Sequence, residues 1–235
     1  LVTATFAADD FSLRDDWTAR DKRLHRDDLP VLQDIDGPAF LASVTLLGSY
    51  QRHLAATGDQ KPAVSCKRKD VLRLTLPEYN QLADIVEQGF IKAAKLLLKE
   101  KVFDLRGLPY STQLVPLAAT CAFLGDRFEQ DSVKQKLARW YWCGVFGELY
   151  GGANETRFAL DLPDLVRWIE GGAEPRTISD ANFSPNRLLS LQTRGSAAYK
   201  GLMALSIQQG CRDFKNGDPI ELTNYFDEAV DIHHI

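Results

Sequence analysis

The chemistry-capable side chains of this chain crowd together at its end, in Asp231-Ile232-His233-His234-Ile235. Adjacent residues of an extended chain project to opposite sides, so the two imidazoles can take different tasks. One can ligate a metal while the other removes a proton from water, because imidazole titrates near neutrality and serves in either role. The other histidines, His25 and His53, stand alone, and no Ser/His/Asp set follows from spacing. No phosphate-binding P-loop, dinucleotide glycine motif, zincin helix or nucleophile elbow is present. Cys66, Cys121, Cys143 and Cys211 are dispersed without a C-x-x-C pair; they read as reduced thiols of a cytoplasmic protein, not as a zinc site.

Charged clusters offer a second kind of chemistry. Ser65-Cys66-Lys67-Arg68-Lys69 is the densest basic run. Three consecutive cations on a loop can hold a phosphate, so Lys67, Arg68 and Lys69 are the candidate nucleic-acid contacts, against the plainer reading of an exposed loop. Lys92, Lys95 and Lys99 share a helix face and read as solvated. Asp9-Asp10 and Asp15-Asp16 read as an acidic face paired with Arg14, Arg20 and Arg23, not as a metal cluster. The short patch from Arg20 to Arg26 reads as surface.

The elements that must carry these groups are helical. With 235 residues, 45% of them hydrophobic and 26% charged, the chain can bury a sizeable core. A net charge of −4 makes any polyanion contact local. No apolar run is long enough to span a bilayer, and the opening residues lack the basic flank of a secretory signal. Apolar spacing predicts helix from Val2 to Leu24, and from Gly37-Pro38 to Gly58. Thr75 and Glu78 form a capping box that opens a helix running to about Lys101. Ser111 is expected to cap a helix ending near Gly125. From Trp140 to Tyr150 the chain is apolar on nearly every side, so the helix over about 131–151 is expected to be the buried centre, with Gly144 and Gly147 permitting close approach. A helix with a kink at Pro163 follows, then shorter helices around 187–191 and 197–209. Asn216-Gly217 signals a β-hairpin between Cys211 and Leu222, and 229–235 reads as a further strand. The expected fold is mainly α: an irregular multi-helix bundle with a short strand element near the C-terminus. The expected domains are a helical one over 1–210 and the start of a second over 211–235. Met203 is the single methionine and the first residues read as helix interior, so the chain is expected to be a fragment of a longer protein.

Asp231-Ile232-His233-His234-Ile235 resembles the opening motif of HNH nucleases, where such an element enters the first strand of a ββα-metal fold. The body resembles bacterial proteins that join a ParB-like N-terminal domain, a helical middle and a C-terminal HNH domain. The GmrSD-type modification-dependent restriction enzymes belong to that family. The matching pieces are Leu1 to Ala7, Phe11 to Trp17, Leu108-Pro109-Tyr110, Asp213-Phe214 to Ile235, and above all Trp142-Cys143-Gly144-Val145-Phe146-Gly147-Glu148-Leu149-Tyr150-Gly151.

The resemblance implies a DNA-directed endonuclease of phage defence. His233 would match the metal-ligand position and His234 the general base. A divalent metal would serve the parent protein, and a nucleotide would bind in the ParB-like domain that precedes Leu1. The later Asn and His of the motif do not occur before Ile235, so the fragment alone is expected to be inactive. DNA is the implied partner, and association with further copies of the chain is left open. The competing reading is a non-enzymatic helical scaffold or dimerisation module in which the tail histidines are incidental.

Overall fold

The computed structural model describes residues 2–57, 60–152, 154–191, 193–212 and 217–218. It is mainly helical. The stretch read as one helix from Val2 to Leu24 is two, α1 (Val2–Ala7) and α2 (Leu13–Leu24). The break has a local cause. Asp10 takes a left-handed conformation (φ 56°), and Ser12 caps α2 by accepting from the Asp15 amide. Helix α3 (Gly37–Ala55) opens on Asp36, whose carboxylate accepts from the Ala39 amide at 2.8 Å, with Pro38 in the first turn. A single turn, α4 (Arg68–Val71), precedes α5 (Leu76–Lys99), which begins with the expected Thr75–Glu78 capping box.

Helix α6 (Leu114–Leu124) is buried at every residue except the half-exposed Phe123. It packs against α5, α3 and α8 (Glu155–Ile169). This corrects the expectation that the helix near 131–151 is the centre. That helix, α7 (Asp131–Phe146), ends five residues earlier and buries Trp140 and Tyr141 while Trp142 and Phe146 stay half-exposed. Aromatic residues around its circumference serve several partly covered contacts. Small residues are what allow α6 to be enclosed. A Cβ on Gly89 of α5 would lie 2.3 Å from the Ala118 carbonyl oxygen, so only glycine permits this crossing. Gly144 is similarly confined: a Cβ there would meet the Gln113 amide nitrogen at 2.5 Å and the Tyr150 ring at 2.6 Å.

The remaining helices are α9 (Arg176–Asp180), α10 (Asn186–Leu189) and α11 (Ala197–Gln208). Helix α11 starts on a Ser196 cap and docks on α7. Pro163 lies inside α8 without ending it. Apart from an isolated bridge position at Arg212, no β-structure occurs among the described residues. The hairpin expected over Cys211–Leu222 therefore has no support; only 211, 212, 217 and 218 of it are described, and there the Arg212 guanidinium donates to the Gly217 carbonyl at 2.9 Å. The expected second domain over 211–235, the strand over 229–235, and His233 and His234 otherwise lie outside the described residues.

Two polar networks hold helices together. Between α2 and α5, the buried Arg20 pairs with Asp16 and Asp84 at 2.8 Å and Glu87 at 2.7 Å, and Arg23 adds a 2.6 Å pair to Glu87. Tyr79 donates its hydroxyl proton to Asp16. Burial disfavours the Arg20 charge, but the hydrogen bonds to Asp16 and Asp84 outweigh it and its pKa is raised. The second network centres on Asp161 of α8, 1% exposed. It accepts from Trp140 Nε1 at 3.1 Å, the Tyr150 hydroxyl at 2.5 Å and the Thr177 hydroxyl at 2.6 Å. Thr177 in turn accepts from Arg157 at 3.0 Å. Burial raises the Asp161 pKa above 3.8 against the pull of these three donors.

Asp161→Ala is expected to lower stability by ~3 kcal/mol, because three buried donors lose their acceptor. Asp161→Asn should cost much less: its carbonyl keeps Trp140 and Thr177, and the Tyr150 hydroxyl can turn to accept from the new amide. A carboxyl whose folded pKa is raised binds its proton more readily when folded, so its contribution grows as pH falls through the folded pKa and is complete below the unfolded value. Urea titrations at several pH values should therefore show the wild type gaining on Asp161→Asn as pH drops from 7 towards 4. An equal loss in both variants would count against the donor arrangement.

Candidate nucleic-acid interface

The basic run does not sit on a loose loop. Upstream of it, the Ser65 amide donates to Ser49 Oγ at 3.0 Å, and His53 Nδ1 donates to the Pro62 carbonyl at 2.9 Å. Both contacts fasten the segment to α3. Cys66 is buried. The Ser65 hydroxyl donates to Asp70 at 2.6 Å, and Asp70 sits in the single turn of α4. Lys67 forms the N-cap of that turn, and its carbonyl accepts from the Asp70 amide at 2.7 Å. The chain thus starts a helix where a plain exposed loop was the alternative.

That helical start divides the three cations. Lys67 and Lys69 line a groove of about 900 Å³ together with Arg52, Arg73 and the α8 side chains Thr156, Ala159 and Leu160. Arg68 points to a separate groove of about 790 Å³, which also holds Asp34, Asp36 and Glu155. Residues that turn with a helix cannot all face one way. The triplet therefore supplies two cations to one groove and one to another.

Four cations meet two carboxylates in the first groove. Arg52 of α3 is paired with Glu78 of α5, and Arg73 lies 3.9 Å from Asp70. Lys67, Lys69 and Arg73 are exposed, and neither lysine holds an ion pair among the described residues. The local balance is positive in a chain of net charge −4. A rigid, one-sided row of ammonium and guanidinium groups can contact successive phosphates of a backbone without reading bases. Sequence reading missed Arg52 and Arg73. The four-residue spacing of Lys69 and Arg73 was a readable signal; Arg52, a whole helix away, offered none.

The other charged clusters are structural. Arg20, Arg23 and Arg26 are committed to carboxylates, Arg26 to Asp28 at 2.5 Å. His25 approaches Asp21 at 3.1 Å and the Ile35 carbonyl at 3.1 Å. Lys92 donates to the Gly125 carbonyl at 2.7 Å and lies over the Phe128 ring, so it is not part of a solvated row with Lys95 and Lys99. Among the described residues no three His, Cys, Asp or Glu side chains converge as metal ligands, and no helix is long and apolar enough to cross a membrane. His233 and His234, the expected ligand and base, lie outside the described residues.

Comparisons with known proteins add a relative but no function. No family model matches the chain, and no solved structure matches it. An uncharacterised protein of Methanocaldococcus jannaschii is 24% identical over 186 residues, covering 73% of this chain and 30% of the relative. The chain thus matches less than a third of that relative's length.

Burial pushes the Cys66 thiol up to about 12, with Glu155 and Asp70 adding to the shift. Cys121, fully enclosed in α6, is raised as well, by burial. Native protein at pH 8 should therefore leave Cys66 and Cys121 unlabelled by a disulfide reagent until it is unfolded. Rapid labelling of Cys66 would mean that the segment carrying Lys67 and Lys69 opens from α3.

Proposed function

We propose that this chain is the helical middle of a DNA-directed, modification-dependent HNH restriction endonuclease. Its role is to couple a nucleotide-binding domain to a nuclease domain and to hold DNA backbone in the groove of Lys67, Lys69, Arg52 and Arg73. The observation that carries the DNA contact is the presentation of Lys67 and Lys69, unpaired, on a braced helical start. The catalytic assignment rests on the His233-His234 motif and its resemblance to HNH enzymes. In the parent, His233 would hold a divalent metal, which would supply Lewis-acid chemistry at the scissile phosphate, and His234 would act as the general base towards water. An Asn and then a His on a strand–helix pattern in the parent sequence after Ile235 would support this reading, and their absence would sink it.

Contacts to phosphates release counterions, so affinity falls with salt at a slope of about 0.9 per contact on duplex DNA. Fluorescence anisotropy with a duplex is expected to show weak, sequence-independent binding. In Lys67→Ala/Lys69→Ala the affinity should fall and the salt slope should decrease by about one to two. Unchanged affinity and slope in that variant would remove DNA from this groove. In the full-length parent, His234→Ala should abolish metal-dependent cleavage while the thermal midpoint stays within a degree or two of wild type. Retained cleavage would refute the nuclease assignment.

A further inference from the structure

A second, smaller cleft lies between the turn that follows α5 and one face of α11. Its volume is about 270 Å³, the size of a single small molecule. Its rim carries Lys101, Arg106, Arg194 and Lys200. Its floor is apolar: Phe103, Met203 and Ile207, all half-buried. It shares no lining residue with the Lys67 groove.

The cations are held in place by different means. Lys200 is half-buried and donates one of its three protons to the Leu108 carbonyl at 3.0 Å. Burial lowers its pKa, opposed in part by Asp104. Arg106 is oriented by Asp104 at 2.9 Å. Lys101 and Lys200 hold no ion pair among the described residues. The backbone at Lys101 is also unusual. Helix α5 closes with Val102 donating to the Leu97 carbonyl at 2.9 Å and Lys101 donating to the Leu98 carbonyl at 3.1 Å. Lys101 sits in the left-handed region (φ 63°), where glycine is the comfortable residue. A lysine there puts a cation at the rim of the cleft at the expense of backbone ease.

We propose that this cleft binds a small phosphate monoester with a compact apolar body, its phosphate between Lys101 and Lys200 and its body against Phe103, Met203 and Ile207. A monoester carries nearly two negative charges at neutral pH and three acceptor oxygens, which suits a cleft lined by two lysines without ion pairs better than a carboxylate does. The apolar floor supplies the contact that inorganic phosphate cannot use. The same chemistry could come from the terminal phosphate of a nucleic acid strand, but a volume of about 270 Å³ favours a free molecule.

The test uses the whole chain and isothermal titration calorimetry with phenyl phosphate, inorganic phosphate, phenol and a 5′-phosphorylated oligonucleotide. Phenyl phosphate should bind at one site at least tenfold more tightly than inorganic phosphate, and phenol should not bind measurably. Lys200→Met should weaken phenyl phosphate at least tenfold. Lys101→Gly should weaken it similarly while raising the thermal midpoint, a combination that a purely structural lysine does not produce. Lys67→Ala/Lys69→Ala should leave it unchanged, which separates this site from the DNA groove. No saturable binding of phenyl phosphate, equal binding in the Lys101→Gly variant, or binding confined to the oligonucleotide would overturn the proposal. If Lys200→Met fails to fold by circular dichroism, Lys101→Gly alone decides it.

Discussion

The structure depends on one buried carboxylate. Asp161 gathers Trp140 from α7, Tyr150 from the turn after it, and Thr177 from α9. Three donors compensate the loss of hydration that burial imposes on the acid. The lysines of both candidate sites are far from Asp161 in sequence, yet both sites stand on helices that it joins. Helix α8 forms one wall of the Lys67 groove, and α7 is the platform on which α11 docks to close the smaller cleft. The Tyr150 carbonyl extends the same cluster by accepting from Thr112 and Asn154.

Most cations of this chain are structural, and that is what makes the remaining few informative. Arg20 and Arg23 lock α2 to α5, Lys92 and Lys136 donate to backbone carbonyls, and Arg139 pairs with Glu174. Against that background Lys67 and Lys69 in one groove and Lys101 in the other hold no ion pair among the described residues. A uniformly solvated basic face would carry little meaning in a chain of net negative charge. Two separated pockets, one wide and open, the other small with an apolar floor, suit ligands of different size.

The His233-His234 motif and the described helical body lie on different parts of the chain. His233 and His234 supply two imidazoles, and a metal-dependent cut needs a fuller ligand set and a positioned phosphate. A helical body can add backbone contacts and geometric coupling between domains. It needs no catalytic group of its own for that.

The sequence by itself determined the elements whose signals are local. The Thr75–Glu78 capping box, the Pro38 start, and the mainly helical class follow from side chains that bond to their own backbone and from apolar spacing. It also placed the His233-His234 pair and the Lys67 to Lys69 run as the candidate sites. Tertiary structure decided what spacing cannot express. Helix α6, short and rich in alanine, became the centre because Gly89 lets α5 approach its backbone; the aromatic Trp140 to Tyr150 stretch, which sequence reading favoured, did not. The break at Asp10 turned one expected helix into two. Arg52 joined Lys67 only because α3 returns beside the 62–65 segment, and Lys101 met Lys200 only because α11 folds back onto the turn after α5. Such meetings arise from helix packing across many residues, and no local pattern in the chain encodes them.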